Sequence, residues 1–254
     1  MKKLRTIIRW VVWTIAGLYI TTIVLLHIPA VQTFLAQQVS DAAGNKLGTE
    51  VRVGRIDLGF INRFVLDDIL IYDQSHKKML SASRVGARVD LLHLLRTGEI
   101  NISSAQVFGL QAELYKKSKD SKPNYQFALD SLASKDTTSH TPLHLSINSL
   151  VIRHGRIKYD CLDSPSTPNQ LNLNHINLSD ISSYLILHKL NDTSVWVDLR
   201  TLSFKEAAGL EVKQLAFDLK ANQQQATLRD FVFNSTNSKI GLSTLQISYK
   251  LNNK

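Results

Sequence analysis

The side chains best suited to metal binding or acid–base chemistry are eight histidines and twenty-one carboxylates. His140 and His144 have the spacing of two metal ligands on one helix face. Pro142 lies between them, and proline breaks a helix at an interior position. The spacing therefore does not predict a metal site. His93 lies in a leucine-rich segment, and His154 is typical of a turn.

The carboxylates do not form a recognisable catalytic pair either. Asp67 and Asp68 are consecutive in a predicted strand, where side-chain alternation sends neighbours to opposite faces. The sequence contains no nucleophile elbow, phosphate-binding loop or dinucleotide fingerprint. Cys161 is the single cysteine, so it forms no intramolecular disulfide and is expected to be a structural thiol. We therefore expect a protein that is not an enzyme and needs no metal or other cofactor.

The positive charge of the chain does not indicate nucleic-acid binding. The formal net charge is +9, but four basic residues lie within the first nine residues, before or at the start of the first apolar run, where membrane topology explains them. After that run no basic stretch is longer than the pair Lys116-Lys117. A spread-out surplus of this kind disfavours a nucleic-acid partner.

The elements that would position any site begin with an apolar segment. Residues 7–28 would span about 33 Å as a helix, enough to cross a bilayer core. No charged residue occurs between Trp10 and Ser40, whereas residues 1–6 are basic and are predicted to stay in the cytoplasm. The residues predicted to hold this anchor in the membrane are Ile7, Trp10, Trp13, Tyr19 and Ile28.

A cleaved signal peptide and a buried core helix are the alternatives to an anchor. A signal has an apolar region of about 7–15 residues followed by small residues at the cleavage site. Ala30 is preceded by Ile28, a poor cleavage environment, and the better site at Ser40-Asp41-Ala42 lies too far downstream. A core helix is disfavoured because the segment is apolar on every face. We predict an uncleaved, single-pass anchor with the rest of the chain on the non-cytoplasmic side.

Residues 29–48 predict a short amphipathic helix. Val31, Phe34, Leu35 and Val39 recur at helical spacing among polar residues. Gly44 or Gly48 would end the helix. This pattern leaves two positions open: the helix lies on the outer membrane face, or it caps the first sheet.

Beyond residue 48 the pattern is that of a mainly β protein. Residues 49–115 alternate with a period of two and predict a first sheet segment, with one slip near Gly54 that is typical of a bulge. Residues 116–142 are polar and predict a loop, with one apolar island at 125–129 that predicts a short helix. Residues 143–254 predict a continuing, possibly truncated sheet, and residues 102–109 resemble residues 147–155.

The apolar face of such a sheet must be covered, and no long helical pattern is available to cover it. A second sheet, curling of the same sheet, or a hydrophobic ligand would each serve, and the alternation is compatible with all three. The chain stops directly after a strong strand pattern, which leaves an exposed sheet edge. We therefore expect the N-terminal piece of a longer protein.

Several segments resemble the start of TamB-like proteins of the AsmA-like superfamily, in the form found in Bacteroidetes. They are residues 47–63 (LGTEVRVGRIDLGFINR), 66–73 (LDDILIYD), 80–82, 90–95 (DLLHLL), 98–102 (GEINI) and 123–127 (PNYQF). The resemblance is specific over residues 1–132 and general in strand style beyond. It departs at residues 76–78, in a loop that carries no predicted function.

This resemblance implies an inner-membrane anchor followed by an elongated, curled, taco-like repetitive sheet that crosses the periplasm. Family members carry lipid along an apolar groove, and TamB-like proteins are also linked to outer-membrane protein assembly and secretion with an Omp85-type barrel. The barrel-contacting region of these relatives is C-terminal and absent here. Because of the link to outer-membrane protein assembly, a scaffold role is the alternative to phospholipid transport. The residues predicted to line the groove are Val51, Val53, Leu58, Leu70, Val89, Ile102, Val107, Ile147 and Ile152.

Overall fold

The computed structural model describes residues 2–58, 62–90, 93, 96, 101–133, 146–167, 169–191 and 194–249. Three helices have described bounds: α1 (Lys2–Leu26), α2 (Pro29–Leu47) and α3 (Gln126–Ala133), and His93 and Arg96 are also helical. Pro29 begins α2, because proline is well suited to the first helical turn. Gly48 ends it in the left-handed conformation with φ of 68°, so Gly48, not Gly44, is the terminating glycine.

The remaining elements are twelve strands, which account for most of the described residues. Most strands are ten residues or longer, as the long alternating runs in the sequence indicate. The strands are β1 (Val51–Leu58), β2 (Arg63–Tyr72), β3 (Lys78–Val89), β4 (Asn101–Phe108), β5 (Gln111–Lys116), β6 (Ser146–Ile147), β7 (Ser149–Cys161), β8 (His175–Asn191), β9 (Ser194–Glu206), β10 (Glu211–Asn222), β11 (Gln225–Ser235) and β12 (Lys239–Ser248).

All twelve strands belong to one mixed sheet, with the order β1-β2-β3-β4-β7-β8-β9-β10-β11-β12. β5 continues the line of β4 and pairs with β3 and β7, while β6 pairs with β4. The pairs β4–β6, β4–β7 and β5–β7 are parallel, and the others are antiparallel. This architecture confirms the mainly β fold class, with an apolar N-terminal helix in front of it.

The two segments with similar sequences lie side by side in this sheet. Ala105 of β4 pairs with Leu150 of β7, and Val107 pairs with Ile152, in parallel register. The offset between the partners is the one that aligns the two segments in sequence. The internal repeat is therefore a repeat of neighbouring strands.

Helix α2 covers the free edge of β1. The backbone N–H of Val53 points away from β2 and donates to the Ser40 hydroxyl at 2.9 Å. Ala36, one turn earlier in α2, is 1% exposed. An uncovered edge strand would offer unpaired backbone groups to other chains, and the helix removes that exposure. The sequence left open whether α2 lies on the outer membrane face or caps the first sheet. In the structure it packs against the sheet.

A line of irregular residues crosses five neighbouring strand segments at one level. Asp68, Gly109 and His154 have φ values of 54°, 63° and 55° in the left-handed region. Gly54 lies against Asp68, since a Cβ on this glycine would be 3.0 Å from the Asp68 Cβ. A Cβ on Gly109 would lie 2.5 Å from the Ser83 hydroxyl oxygen. We call Gly54, Asp68, Ser83, Gly109 and His154 the phase-shift line.

Side-chain alternation slips by one residue where a strand crosses this line. In β3, Ala82 is buried, Ser83 and Arg84 are both exposed, and Val85 is half-buried. Two consecutive exposed residues cannot occur in regular alternation with one face covered. Because neighbouring strands slip together, their apolar side chains stay on the same face above and below the line. The bulge expected near Gly54 is thus one end of a feature shared by several strands.

Candidate functional site

One face of the sheet is apolar from strand to strand, and we call it the apolar face. We call the side of the phase-shift line on which β1 begins 'above' and the other side 'below'. Above the line, Val53 pairs with Ile69, which pairs with Ala82. Below the line, paired residues form a longer row across four strands. This row consists of Leu66, Val85, Val107 and Ile152.

Six of the nine residues predicted to line a groove lie on this face. Val51 and Val53 lie above the phase-shift line, and four others lie below it. Those four are Val89, Ile102, Val107 and Ile152, which pair with one another or with apolar partners.

The remaining three candidates differ in position. Leu70 pairs with Arg52 and Ser81, which places it on the face opposite to its neighbours Ile69 and Ile71. The side chains of Leu58 and Ile147 lie outside the described part of the structure. The reason for the position of Leu70 is the slip at Asp68, which the sequence does not reveal.

The apolar face continues from β7 into β8, β9 and β10, which contain none of the nine predicted lining residues. A single row of paired residues crosses the next strands of the sheet. It consists of Leu150, Leu185, Leu199 and Phe217. Period-two alternation is the signal that could have identified these residues. It was not sufficient, because a one-residue slip within a strand moves the later side chains to the other face of the sheet.

Much of the apolar face is open to solvent. Leu66, Val85, Val107 and Ile152 are half-buried, whereas the interior of a closed sandwich would bury such residues almost completely. The accessible surface of the chain is 17799 Å², whereas a compact protein of 28.5 kDa exposes about 11,000 Å². No second sheet packs on this face in the described residues. The surface can therefore receive an apolar ligand without displacing a protein layer.

The opposite face carries charged groups, including a cluster around Asp67. The Asp67 carboxylate accepts from Arg84 Nε at 2.7 Å and from Arg55 Nη2 at 2.8 Å. The hydrogen bond from Arg84 lowers the pKa of Asp67, burial opposes this, and the bond from Arg55 lowers the pKa further. Asp68, expected on the other face, lines the same surface depression as Asp67, because its left-handed backbone breaks the alternation.

A second polar cluster holds the connection between β7 and β8. The His175 ring lies between Asp160, with Nδ1 3.0 Å from Oδ1, and the Ser164 carbonyl, 2.9 Å from Nε2. Both partners are acceptors, so the ring fits best when both nitrogens are protonated. The hydrogen bond to Asp160, followed by that to the carbonyl, raises the pKa of His175. Ser164 contributes its backbone oxygen, so this cluster is not a nucleophile–base pair.

The other residues considered for chemistry are not brought together. His140 and His144 lie outside the described residues. His154 lies inside β7, with the left-handed conformation usual in turns. Cys161 is fully buried, and its sulfur donates to Asp163. Within the described ranges, no group of three or more histidine, cysteine or carboxylate side chains has a geometry that could hold a metal ion.

Helix α1 supplies the only span in the described chain that is long and apolar enough to cross a membrane, at Arg5–Leu26. None of this span is buried against the protein. The five predicted anchor residues are all exposed: Ile7 by 59%, Trp10 and Trp13 by 70%, Tyr19 by 42% and Ile28 by 40%. Side chains of this kind are stable in a hydrocarbon environment and costly in water.

Comparison with known proteins gives one family. The model of the AsmA family matches residues 1–249. No curated protein matches the chain. The family match agrees with the AsmA-like part of the resemblance seen in the sequence, while the narrower assignment to TamB-like proteins of the Bacteroidetes type stays a prediction.

Proposed function

The chain belongs to the AsmA family, and from this premise we propose that it carries phospholipid along its apolar face from the membrane that holds α1 toward the outer membrane. The family and the single apolar helix fit a membrane-associated role in lipid transport or assembly. The finer proposal is that the membrane is the inner membrane and that the sheet lies in the periplasm. No catalytic step is assigned to the chain.

The observation that carries this proposal is the continuity of the apolar face. Rows of paired apolar residues run across the strand order, and their side chains remain half-exposed. The face begins at β1, three residues after the end of α2 and close in sequence to the membrane helix. A lipid leaving the bilayer would therefore meet apolar side chains at the start of the sheet.

Movement along such a surface needs no energy source of its own. Each buried CH₂ group gains about 0.8 kcal/mol wherever it lies on the surface, so shifting an acyl chain between equivalent rows changes the free energy little. The polar headgroup would stay in solvent while the acyl chains contact the apolar face. The protein would act as a passive path.

Orientation in the membrane is proposed from the basic residues at the N-terminus. Lys2, Lys3, Arg5 and Arg9 precede or begin the apolar span, and no acidic residue accompanies them. Lysine and arginine at the end of a membrane helix are retained on the cytoplasmic side. The sheet would then lie on the non-cytoplasmic side.

Photocrosslinking to lipid at neighbouring residues on opposite faces tests the proposal. A photoreactive amino acid replaces Val107 or Ile152 on the apolar face, or their exposed neighbours Gln106 or Arg153 on the other. After irradiation in cells, we expect phospholipid adducts, detected by mass spectrometry, at Val107 and Ile152. The neighbours are matched controls because they share strand and depth.

Leu70 gives a further control on the face assignment. Its register predicts no adduct, whereas Ile69 and Ile71 are expected to crosslink. Equal labelling of both faces, or labelling of the charged face alone, would overturn the proposal. Transfer of no phospholipid between vesicles by the full chain would count against it independently.

A scaffold role in outer-membrane protein assembly is the second candidate, and the last strand favours it. Every residue of β12 is exposed, including Ile240 at 54% and Ile247 at 53%. The β1 edge is covered by α2, whereas no described element pairs with the outer edge of β12. Such an edge could pair with a strand of a client protein. Protein adducts at β12 without lipid adducts at Val107 would favour this role.

A further inference from the structure

We propose that the connection between β7 and β8 is a second membrane-contact site, which binds the surface of a bilayer containing anionic lipid. The site consists of three exposed leucines, Leu162, Leu171 and Leu173, which we call the leucine loop, and of adjacent lysines. It lies on a different part of the molecule from α1 and from the apolar face. The inference does not depend on the proposed lipid transport.

The leucine side chains are exposed to an unusual degree. Leu162 is 61% exposed, Leu171 is 56% exposed and Leu173 is 74% exposed. Leu173 is thus more exposed than Trp10 or Leu18 of the membrane helix, both at 70%. Leu171 and Leu173 alternate with polar residues as in a strand, but β8 begins only at His175, so both leucines lie before it.

The loop that carries them is held in place by polar contacts. The Asn172 amide donates to the Pro165 carbonyl and to the Thr167 hydroxyl, each at 3.1 Å. The Cys161 N–H donates to the Asn174 carbonyl at 2.7 Å. The His175 contact to the Ser164 carbonyl ties the two ends of the loop together. The leucines are therefore presented outward by an ordered backbone, which reduces the entropy lost when they bind.

Lysines surround the leucine loop. Lys116 is the last residue of β5, and the turn after it carries Lys117, Lys119 and Lys122. Both contact the loop: the Leu162 N–H donates to the Lys116 carbonyl at 3.0 Å, and the Lys119 N–H donates to Asp163 at 3.2 Å. Lys77, Lys78 and Lys158 line a depression next to Leu162. The acids of this region are fewer: Asp73, Glu113, Asp120, Asp160 and Asp163, of which Asp160 pairs with Lys158 at 2.9 Å.

This combination is complementary to an anionic bilayer surface. Leucines enter the boundary between headgroups and acyl chains, while lysines remain among the headgroup phosphates. Each lysine near such a surface strengthens binding by about fivefold. The exposed lysines flanking the leucines disfavour an apolar protein partner, because the centre of such an interface is depleted in charge.

Flotation of the full chain with vesicles tests the site. The chain is embedded through α1 in nanodiscs of phosphatidylcholine, then mixed with vesicles with or without phosphatidylglycerol. We expect co-flotation with the phosphatidylglycerol vesicles only. Replacing the three leucines by serine should reduce it by more than about tenfold, and each Lys→Gln change in the turn by about fivefold. Leu129→Ser is the matched control, since Leu129 is 50% exposed on α3.

Two outcomes would overturn the inference. The first is flotation of the triple serine variant at the level of the unchanged chain. The second is pairing of nanodiscs through the loop without vesicles, which would indicate a second copy of the chain as the partner. Thermal unfolding of the triple variant should match that of the unchanged chain. Lipid crosslinking at Val107 should be unaffected, so failure here is distinguishable from failure of the transport proposal.

Discussion

His175 shows how one side chain can fix a long connection between strands. It holds the Ser164 carbonyl on one side and Asp160 on the other. Burial raises the pKa of Asp160, but the hydrogen bonds from His175 and Lys158 outweigh this and lower it. The pair is therefore most favourable as an imidazolium and a carboxylate. The leucine loop depends on this contact for its shape.

The first prediction is a pH dependence of stability that His175 controls. Its folded pKa lies above its ordinary value of 6.5. The stabilising contribution is therefore complete below that value and is lost as the pH rises through the higher folded pKa. We expect the melting temperature of the full chain to fall over this range, and His175→Gln to remove that part of the fall. His76→Gln is the control because the His76 side chain is 82% exposed, and an equal effect of both changes would contradict the assignment.

Asp67 organises the charged face, and its replacement gives the second prediction. Asp67→Asn leaves Arg55 and Arg84 without an ionised acceptor, so we expect a loss of about 1–3 kcal/mol in the free energy of unfolding by denaturant. Asp68→Asn is the neighbouring control, because asparagine also tolerates the left-handed conformation that Asp68 adopts. Its effect should be small. Because the pKa of Asp67 is lowered in the folded chain, its contribution should also disappear as the pH falls through that lowered pKa.

At the level of elements, helix α2 and the phase-shift line have separate tasks. The helix ends the sheet at β1 by covering its edge. The line lets five strand segments change phase together, because a left-handed residue in one strand faces an irregular residue in the next. Asp180 in β8 and Asp230 in β11 also have positive φ. The apolar face therefore survives breaks in alternation that would otherwise divide it.

The third prediction concerns the covering of the β1 edge. Ser40→Ala removes the acceptor for the Val53 N–H, and we expect faster hydrogen exchange at Val53 and a loss of about 1 kcal/mol in stability. Thr33→Ala is the matched control, because both hydroxyls donate to the carbonyl four residues earlier in α2. Thr33 has no described contact with β1. Unchanged protection at Val53 in the Ser40 variant would show that the helix does not hold the edge through this bond.

For the whole molecule, the main property is that one continuous hydrogen-bonded sheet runs from β1 to β12, and no second sheet covers its apolar face in the described part. The accessible surface is well above that of a compact protein of the same mass, because the sheet has one layer and helix α1 is not buried against the protein. Its apolar rows are only half-buried, so further cover would bury more apolar surface. Lipid on the apolar face, as proposed, would supply that cover.

The fourth prediction concerns the side of the membrane on which this sheet lies. A cysteine at the exposed position Gln223 should react with a membrane-impermeant maleimide in spheroplasts, whereas one at Lys3 should react only after the membrane is permeabilised. Cys161 should not interfere, because it is fully buried. The reverse pattern would contradict the proposed orientation and, with it, the direction of transport.

The sequence by itself determined the apolar helix, the proline start and glycine end of α2, and the mainly β character of the rest. These features depend on local patterns: a 22-residue apolar run, a helix-ending glycine, and period-two alternation; the choice of Gly48 over Gly44 came from the structure. The neighbouring positions of β4 and β7 were visible as a repeat, because similar strands pack on the same kind of neighbour. Local patterns therefore sufficed for the kinds of element and part of their order.

Only the tertiary structure decided which side chains share a face. A one-residue slip moves every later side chain in a strand to the other face, and the slips at Asp68, Gly109 and His154 depend on contacts between strands that are far apart in sequence. Leu70 is an example: it is spaced from Leu66 by four residues, as regular alternation on one face requires, but it pairs with Arg52 on the opposite face. The leucine loop was hidden for the same reason, since its leucines alternate like those of a strand but the pairing of β8 begins only at His175.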